Sequence, residues 1–272
     1  MQVYLSVDIE GVAGVVNPQQ GTPGNAEYER ARRLMAEEAN AAIAGAFDAG
    51  AEAVVVNDAH GPMFNLPADL MDPRAELILG KPKPMNMAAG LDGSFAAVLF
   101  VGYHAGARRA GVLAHTTNSF ALARVTLNGR EASEAVLYGA YAGSLGVPVV
   151  FLSGDDRLAA DHREVFPGAG FVVTKTALGN RSARAVSPEQ SRRLIRAGVA
   201  AALERRAAIA PLVIPAPLRL ELTLASPVVG DLVAMIPAAT RLDAVTCAFD
   251  CPDMAAVVGW VNVVSALSSA VR

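Results

Sequence analysis

Short apolar runs that stop at acids, amides or histidines constrain this chain most. Residues 3–7, 53–56, 96–101 and 148–152 are too brief for helices and nearly continuous in apolar character. That is the pattern of strands buried on both faces of a parallel sheet. A further strand is predicted at 76–80. Between these runs the chain reads as helix: 26–49, opened by Asn25 and stopped at Gly50, and 132–145, stopped at Gly146. Ser187-Pro188-Glu189-Gln190 has the form of a capping box and opens a helix to about residue 206. The class is α/β, a mostly parallel sheet sandwiched by helices. Right-handed crossovers then line up the strand carboxyl ends along one edge, where such folds carry their sites.

Two stretches depart from that rhythm. Residues 124–127 followed by Asn128-Gly129 read as a strand entering a tight hairpin. The proline-rich segment 211–217 reads as a boundary. It divides a catalytic α/β domain, 1–210, from a smaller C-terminal α+β unit, 211–272. The smaller unit is expected to hold strands near 218–224 and 244–249, a short helix near 229–235 and a final helix.

Composition narrows the partners. At 53% hydrophobic and 18% charged residues, the 272-residue chain can bury a sizeable core. A net charge of −3 without a long basic run argues against nucleic acid. Cys247 and Cys251 are too few for a disulfide framework and lack zinc-ribbon spacing. Residues 254–271 are apolar and uncharged, but they hold Asn262, Ser265, Ser268 and Ser269 and lack flanking basic or aromatic anchors. A buried amphipathic helix is the better reading than a membrane span. The first residues enter a strand without a basic or cleavable leader, which reads as cytoplasmic.

The chemistry collects at predicted strand ends. Asp8 and Glu10 follow the first strand and, by the two-residue period, share one side. Such acids repel unless a cation or proton lies between them. His60 follows the second strand and His104 the strand ending at residue 101, in a chain with four histidines. Histidine with carboxylate suits zinc, and manganese or another divalent ion would also fit. The set can hold one crowded ion or two ions sharing a carboxylate. In the second case Asp8 is the natural bridge, and Glu134 on the helix after the hairpin is a candidate further ligand. His115 could accept a proton from activated water. His162, among Asp161, Arg163 and Glu164, reads as surface helix without a role. Asp58 and Asp155 read as partners that orient the histidines.

These motifs, Ser6-Val7-Asp8-Ile9-Glu10-Gly11, Val56-Asn57-Asp58-Ala59-His60 and Gly102-Tyr103-His104-Ala105, resemble those of the dinuclear-zinc D-aminopeptidases, peptidase family M55. Glu37-Glu38-Ala39-Asn40, Gly154-Asp155-Asp156-Arg157 and the stretch through Glu134 add to the likeness, which weakens over the last sixty or so residues. The resemblance implies two Zn2+ per subunit bound by Asp8, Glu10, His60, His104 and Glu134, with Asp8 shared, and His115 as the catalytic residue. It implies hydrolysis of the N-terminal peptide bond of short peptides, with D-amino-acid peptides such as D-Ala-D-Ala as the expected substrate class. It also implies a homo-oligomer of the decameric ring kind. Two rivals use the same ligands: a dinuclear hydrolase of phosphoesters, and a metal-binding assembly protein without catalysis.

Overall fold

The computed structural model describes residues 1–271. In chain order its regular elements begin with β1 (Gln2–Val7), α1 (Ala26–Asp48), β2 (Ala53–Asp58), β3 (Ala75–Ile78) and β4 (Ala97–Tyr103). They continue through β5 (Leu122–Leu127), β6 (Arg130–Glu131), α2 (Glu134–Ser144), β7 (Val149–Asp155), α3 (Asp156–His162), β8 (Gly170–Gly179), β9 (Ser182–Ala185) and α4 (Pro188–Glu204). Last come β10 (Leu218–Leu224), α5 (Pro227–Ala234), β11 (Thr240–Arg241), β12 (Thr246–Cys251) and α6 (Met254–Leu267).

Among the described residues, one sheet runs β3-β2-β1-β4-β7-β8-β9, parallel except for β9. The alternation within β1 shows why its apolar run is continuous. Val3, Leu5 and Val7 pack with α1 and α4, whereas Tyr4 points to a second core shared with α2, α6 and the other sheet. Local caps agree with this packing. Asn25 accepts from the Tyr28 N–H to open α1, and Ser187 accepts from the Gln190 N–H to open α4.

The second sheet, β11-β12-β10-β5-β6, is antiparallel. The segment beyond residue 211 therefore takes β5 and β6, from much earlier in the chain, into its sheet. The apolar terminal helix α6 buries Met254, Val257, Val258, Val261 and Val264, spaced as one helical face. The 254–271 stretch has the length and apolarity of a membrane span, yet this face packs on the protein core.

The chain builds β1, β2 and β3 outward, then returns to lay β4 on the other side of β1. This reversal is a topological switch point, and it opens a crevice at the carboxyl ends of β1 and β4. Two glycines let the backbones meet there. A Cβ on Gly11 would lie 1.9 Å from the Tyr103 carbonyl oxygen, and one on Gly102, at φ +71°, would lie 2.1 Å from that of Asp8.

Candidate metal centre

Asp8 leaves β1, His60 lies just beyond β2, and His104 follows β4 directly, so three neighbouring strands deliver these groups to the switch point. Glu134 arrives from another direction as the first residue of α2. There Ser133 caps the helix by accepting from the Val136 N–H, and the helix N-terminus favours the carboxylate charge. All four side chains are buried, as is Glu10.

The histidine rings are aimed by backbone carbonyls. A carbonyl only accepts, so the ring nitrogen facing it carries a proton. His60 Nε2 lies 2.8 Å from the Gly21 oxygen and His104 Nδ1 lies 2.9 Å from that of Ala105. The opposite nitrogens therefore face the acids. His60 Nδ1 is 3.2 Å from Asp8 Oδ1 and 3.1 Å from Glu10 Oε2. His104 Nε2 is 3.4 Å from Asp8 Oδ2 and 3.3 Å from Glu134 Oε2. Asp8 thus offers one oxygen to each histidine, and two similar half-sites share its carboxylate.

The donor set fits zinc. Bonds of about 2.0–2.1 Å to nitrogen and oxygen ligands give a tetrahedron whose edges are about 3.3–3.4 Å, close to the observed separations. Moreover, His104 Nε2 and Glu10 Oε2 are buried without a hydrogen-bond partner among the described residues. Buried polar atoms rarely stay unpaired in this way unless another group completes them.

Electrostatics give the same answer. Burial pushes the Asp8 carboxyl up, but the close approach of the His104 and His60 imidazoles outweighs it and holds the group well below the usual carboxylate range. Glu134 is likewise raised by burial and lowered further by His104. Burial lowers His60 and His104, but Glu10 and Asp8 on one side, and Glu134 and Asp8 on the other, raise both imidazoles well above their ordinary value. Without metal, protons take the place of cations between the acids.

A pH prediction follows from these signs. Asp8 and Glu134, depressed on folding, contribute stability above about pH 4 that is lost as pH falls through their lowered values. His60 and His104, raised on folding, contribute stability that is complete below about pH 6.5 and lost as pH rises through their raised values. Metal-free protein is expected to be most stable between those limits, and zinc should extend the plateau to alkaline pH. Thermal unfolding with and without chelator checks this; zinc stabilisation that fades toward alkaline pH would contradict it.

His115 lies beside this cluster, its ring stacked on His104 with centroids 4.3 Å apart. Nδ1 sits 2.9 Å from the Leu113 carbonyl oxygen, so Nε2 is the acceptor, 3.9 Å from Glu134 Oε1. That oxygen of Glu134 accepts from the Thr117 N–H at 2.5 Å. His104, His115 and Glu134 bring ligand atoms within 4.8 Å of one another, as do Asp8, Glu10 and His104. His115 retains 23% side-chain exposure, against 10% for His60 and 1% for His104, and with His60 it lines a cavity beside the cluster.

Other residues hold the site in place. Asp58 accepts from the backbone N–H groups of Asn65 and Leu66, and Asp155 accepts from those of Val112 and Leu158. Each organises a loop; the histidine rings take their orientation from carbonyls instead. Lys175 on β8 is 1% exposed and donates to the carbonyls of Glu10, Val12 and Val15. Burial lowers its pKa to about 8, and the loop carrying Glu10 is wrapped around it. Glu38 on α1 fixes the same loop by accepting from the Ala13 N–H. A lysine inside a strand carries no sequence signal for such a role.

His162 departs from its surface reading. It is 2% exposed, its Nδ1 faces the Leu158 carbonyl oxygen at 2.7 Å, and its Nε2 accepts from the Ser133 hydroxyl at 2.6 Å. It therefore braces the cap of the helix that presents Glu134. Asn262 and Ser265 on α6, and Ser268 and Ser269 in the 3-10 turn that follows it, line the cavity beside the cluster. These are the polar positions that interrupt the apolar C-terminal stretch.

An α/β fold with paired carboxylate–histidine half-sites at its switch point defines a candidate metalloenzyme. The chain belongs to the Peptidase M55 family, described as D-aminopeptidase, which matches residues 1–263. A D-aminopeptidase of Bacillus subtilis (strain 168) is 38% identical over 215 residues, covering 79% of this chain and 78% of that protein. A solved structure, the Zn-dependent D-aminopeptidase DppA from Bacillus subtilis, described as a self-compartmentalizing protease, superposes with a TM-score of 0.95 at 33% identity. That match covers 99% of this chain and 98% of the other. The family resemblance and the α/β class read from the sequence are borne out, and neither rival function gains support.

Proposed function

We propose that this chain is a zinc-dependent D-aminopeptidase that hydrolyses the N-terminal peptide bond of short peptides such as D-Ala-D-Ala. The observation that carries the reading is the shared carboxylate: Asp8 turns one oxygen toward His60 and the other toward His104. Family membership and the zinc dependence of the structural relative support it.

Asp8, Glu10 and His60 would hold one ion, and Asp8, His104 and Glu134 a second. Zinc there supplies Lewis-acid chemistry, activating water near neutral pH and polarising a carbonyl oxygen. His115 Nε2, kept as an acceptor by the Leu113 carbonyl, takes the proton shed by the attacking water and returns it to the leaving amine. Water adds to the scissile carbonyl, the C–N bond breaks, and an amino acid and a shortened peptide or amino acid leave. The stack against His104 limits the tilt of the His115 ring during this transfer.

Hydrolysis of D-Ala-D-Ala against L-Ala-L-Ala tests the reading. The D-dipeptide should be cleaved faster by at least about tenfold, since stereochemical rejection needs only a modest misfit at the reacting centre. A protein that binds zinc and cleaves neither peptide would contradict the proposal.

Assembly into a closed homo-oligomer, a decameric ring in its specific form, is part of the same reading. Its support is the self-compartmentalizing description of the relative and exposed apolar side chains such as Leu178, Val213 and Met235. Light scattering in solution tests it, and a monomer would contradict it. A cytoplasmic setting agrees with the two buried free cysteines, which need no oxidising compartment.

A further inference from the structure

We propose that Lys81 receives the C-terminal carboxylate of the bound peptide and thereby makes the enzyme selective for short substrates with a free carboxyl end. The inference rests on the peptidase reading and deepens it. Its basis is the charge layout of one cavity of about 710 Å³. Asp8 and Glu134 line one part of its wall, with His60 and His115 beside them. Lys81 and Lys83, from the loop after β3, line the same cavity, and α6 contributes uncharged side chains. Among the described residues, no other lysine or arginine borders the cavity.

A dipeptide or tripeptide is a zwitterion, with an ammonium at the end to be cleaved and a carboxylate one or two residues away. The reacting end belongs at the acid–histidine cluster. The opposite end then needs a cation with N–H groups to donate, because a desolvated carboxylate is costly unless paired.

Lys83 is poorly placed for that contact. Its ammonium has three N–H donors, and it already approaches the Asn57 side-chain oxygen at 2.5 Å, the Asp58 carbonyl at 2.6 Å and the Ile78 carbonyl at 3.4 Å. It anchors the loop and contributes charge to the wall. Lys81 lies two residues earlier, is exposed, and borders the same cavity. No ion pair or hydrogen bond occupies its ammonium among the described residues. A long flexible lysine can reach over a range of carboxylate positions, which suits peptides that differ by one residue.

The test compares D-Ala-D-Ala with D-Ala-D-Ala amide, which keeps the scissile bond and removes the carboxylate. Wild-type protein should show a KM for the free acid about tenfold below that for the amide, the scale of one charge-assisted hydrogen bond. Lys81→Met should bring the ratio of the two KM values near one, and Lys81→Arg should keep much of the preference. Circular dichroism verifies that each variant is folded. A wild-type preference retained in Lys81→Met, or no preference in the wild type, overturns this inference and leaves the peptidase reading standing. Failure of the wild type to cleave either compound overturns both.

Discussion

Asp8→Asn is expected to purify with little bound zinc and to lose turnover on the order of a thousandfold or more, since both metal-dependent electrostatic stabilisation and water activation go with the ion. The reason is geometric. Each half-site has a histidine and a private carboxylate, Glu10 beside His60 and Glu134 beside His104. Only Asp8 belongs to both, with Oδ1 near one ring and Oδ2 near the other. An amide at that position removes the negative charge from both half-sites at once, and its NH2 group would turn a donor toward one of them. Glu10→Gln affects one half-site and should spare much of the metal in the other. Elemental analysis of the folded variants separates these outcomes. An Asp8→Asn protein with unchanged metal content would mean that the carboxylate is not a bridge.

His115→Ala is expected to keep its zinc and lose about 10²–10⁴ in kcat, the range for a positioned proton-transfer group. His104→Ala, by contrast, should lose metal as well as activity, because His104 Nε2 is a buried nitrogen directed between two carboxylates. The contrast matters because the two rings stack face to face and both lie within ligand distance of Glu134. Proximity to Glu134 therefore does not by itself separate ligand from proton carrier. Exposure and the longer 3.9 Å approach to Glu134 favour proton transfer for His115. Loss of metal from His115→Ala would make it a ligand, and a near-normal rate would make it a structural residue.

Much of this site is legible in the sequence because the signal is local. An apolar run such as residues 3–7 has to be buried, so the polar residues just beyond it must lie at a sheet edge, and Asp8, His60 and His104 share that position. Other parts depend on partners distant in the chain. Glu134 is an ordinary helix residue until the fold brings the start of α2 against His104. His162 has charged neighbours, but the turn of α3 points those outward and the imidazole inward to Ser133.

The α6 asparagine and serines look like weak interruptions of an apolar helix, yet their face closes the cavity. Lys175 is hidden for a related reason: its partners are three backbone carbonyls, which have no residue identity to read. The pairing of β10 with β5 is equally hard to foresee, since strand patterns specify a face and not a distant neighbour.

Zinc titration into chelator-treated, folded protein, with D-Ala-D-Ala hydrolysis followed in the same sample, tests the central claim most directly. Activity should appear with zinc and level off near about two ions per chain, as a pair of half-sites sharing one carboxylate requires. Zinc that binds without producing hydrolysis, or a folded protein that binds none, would contradict it.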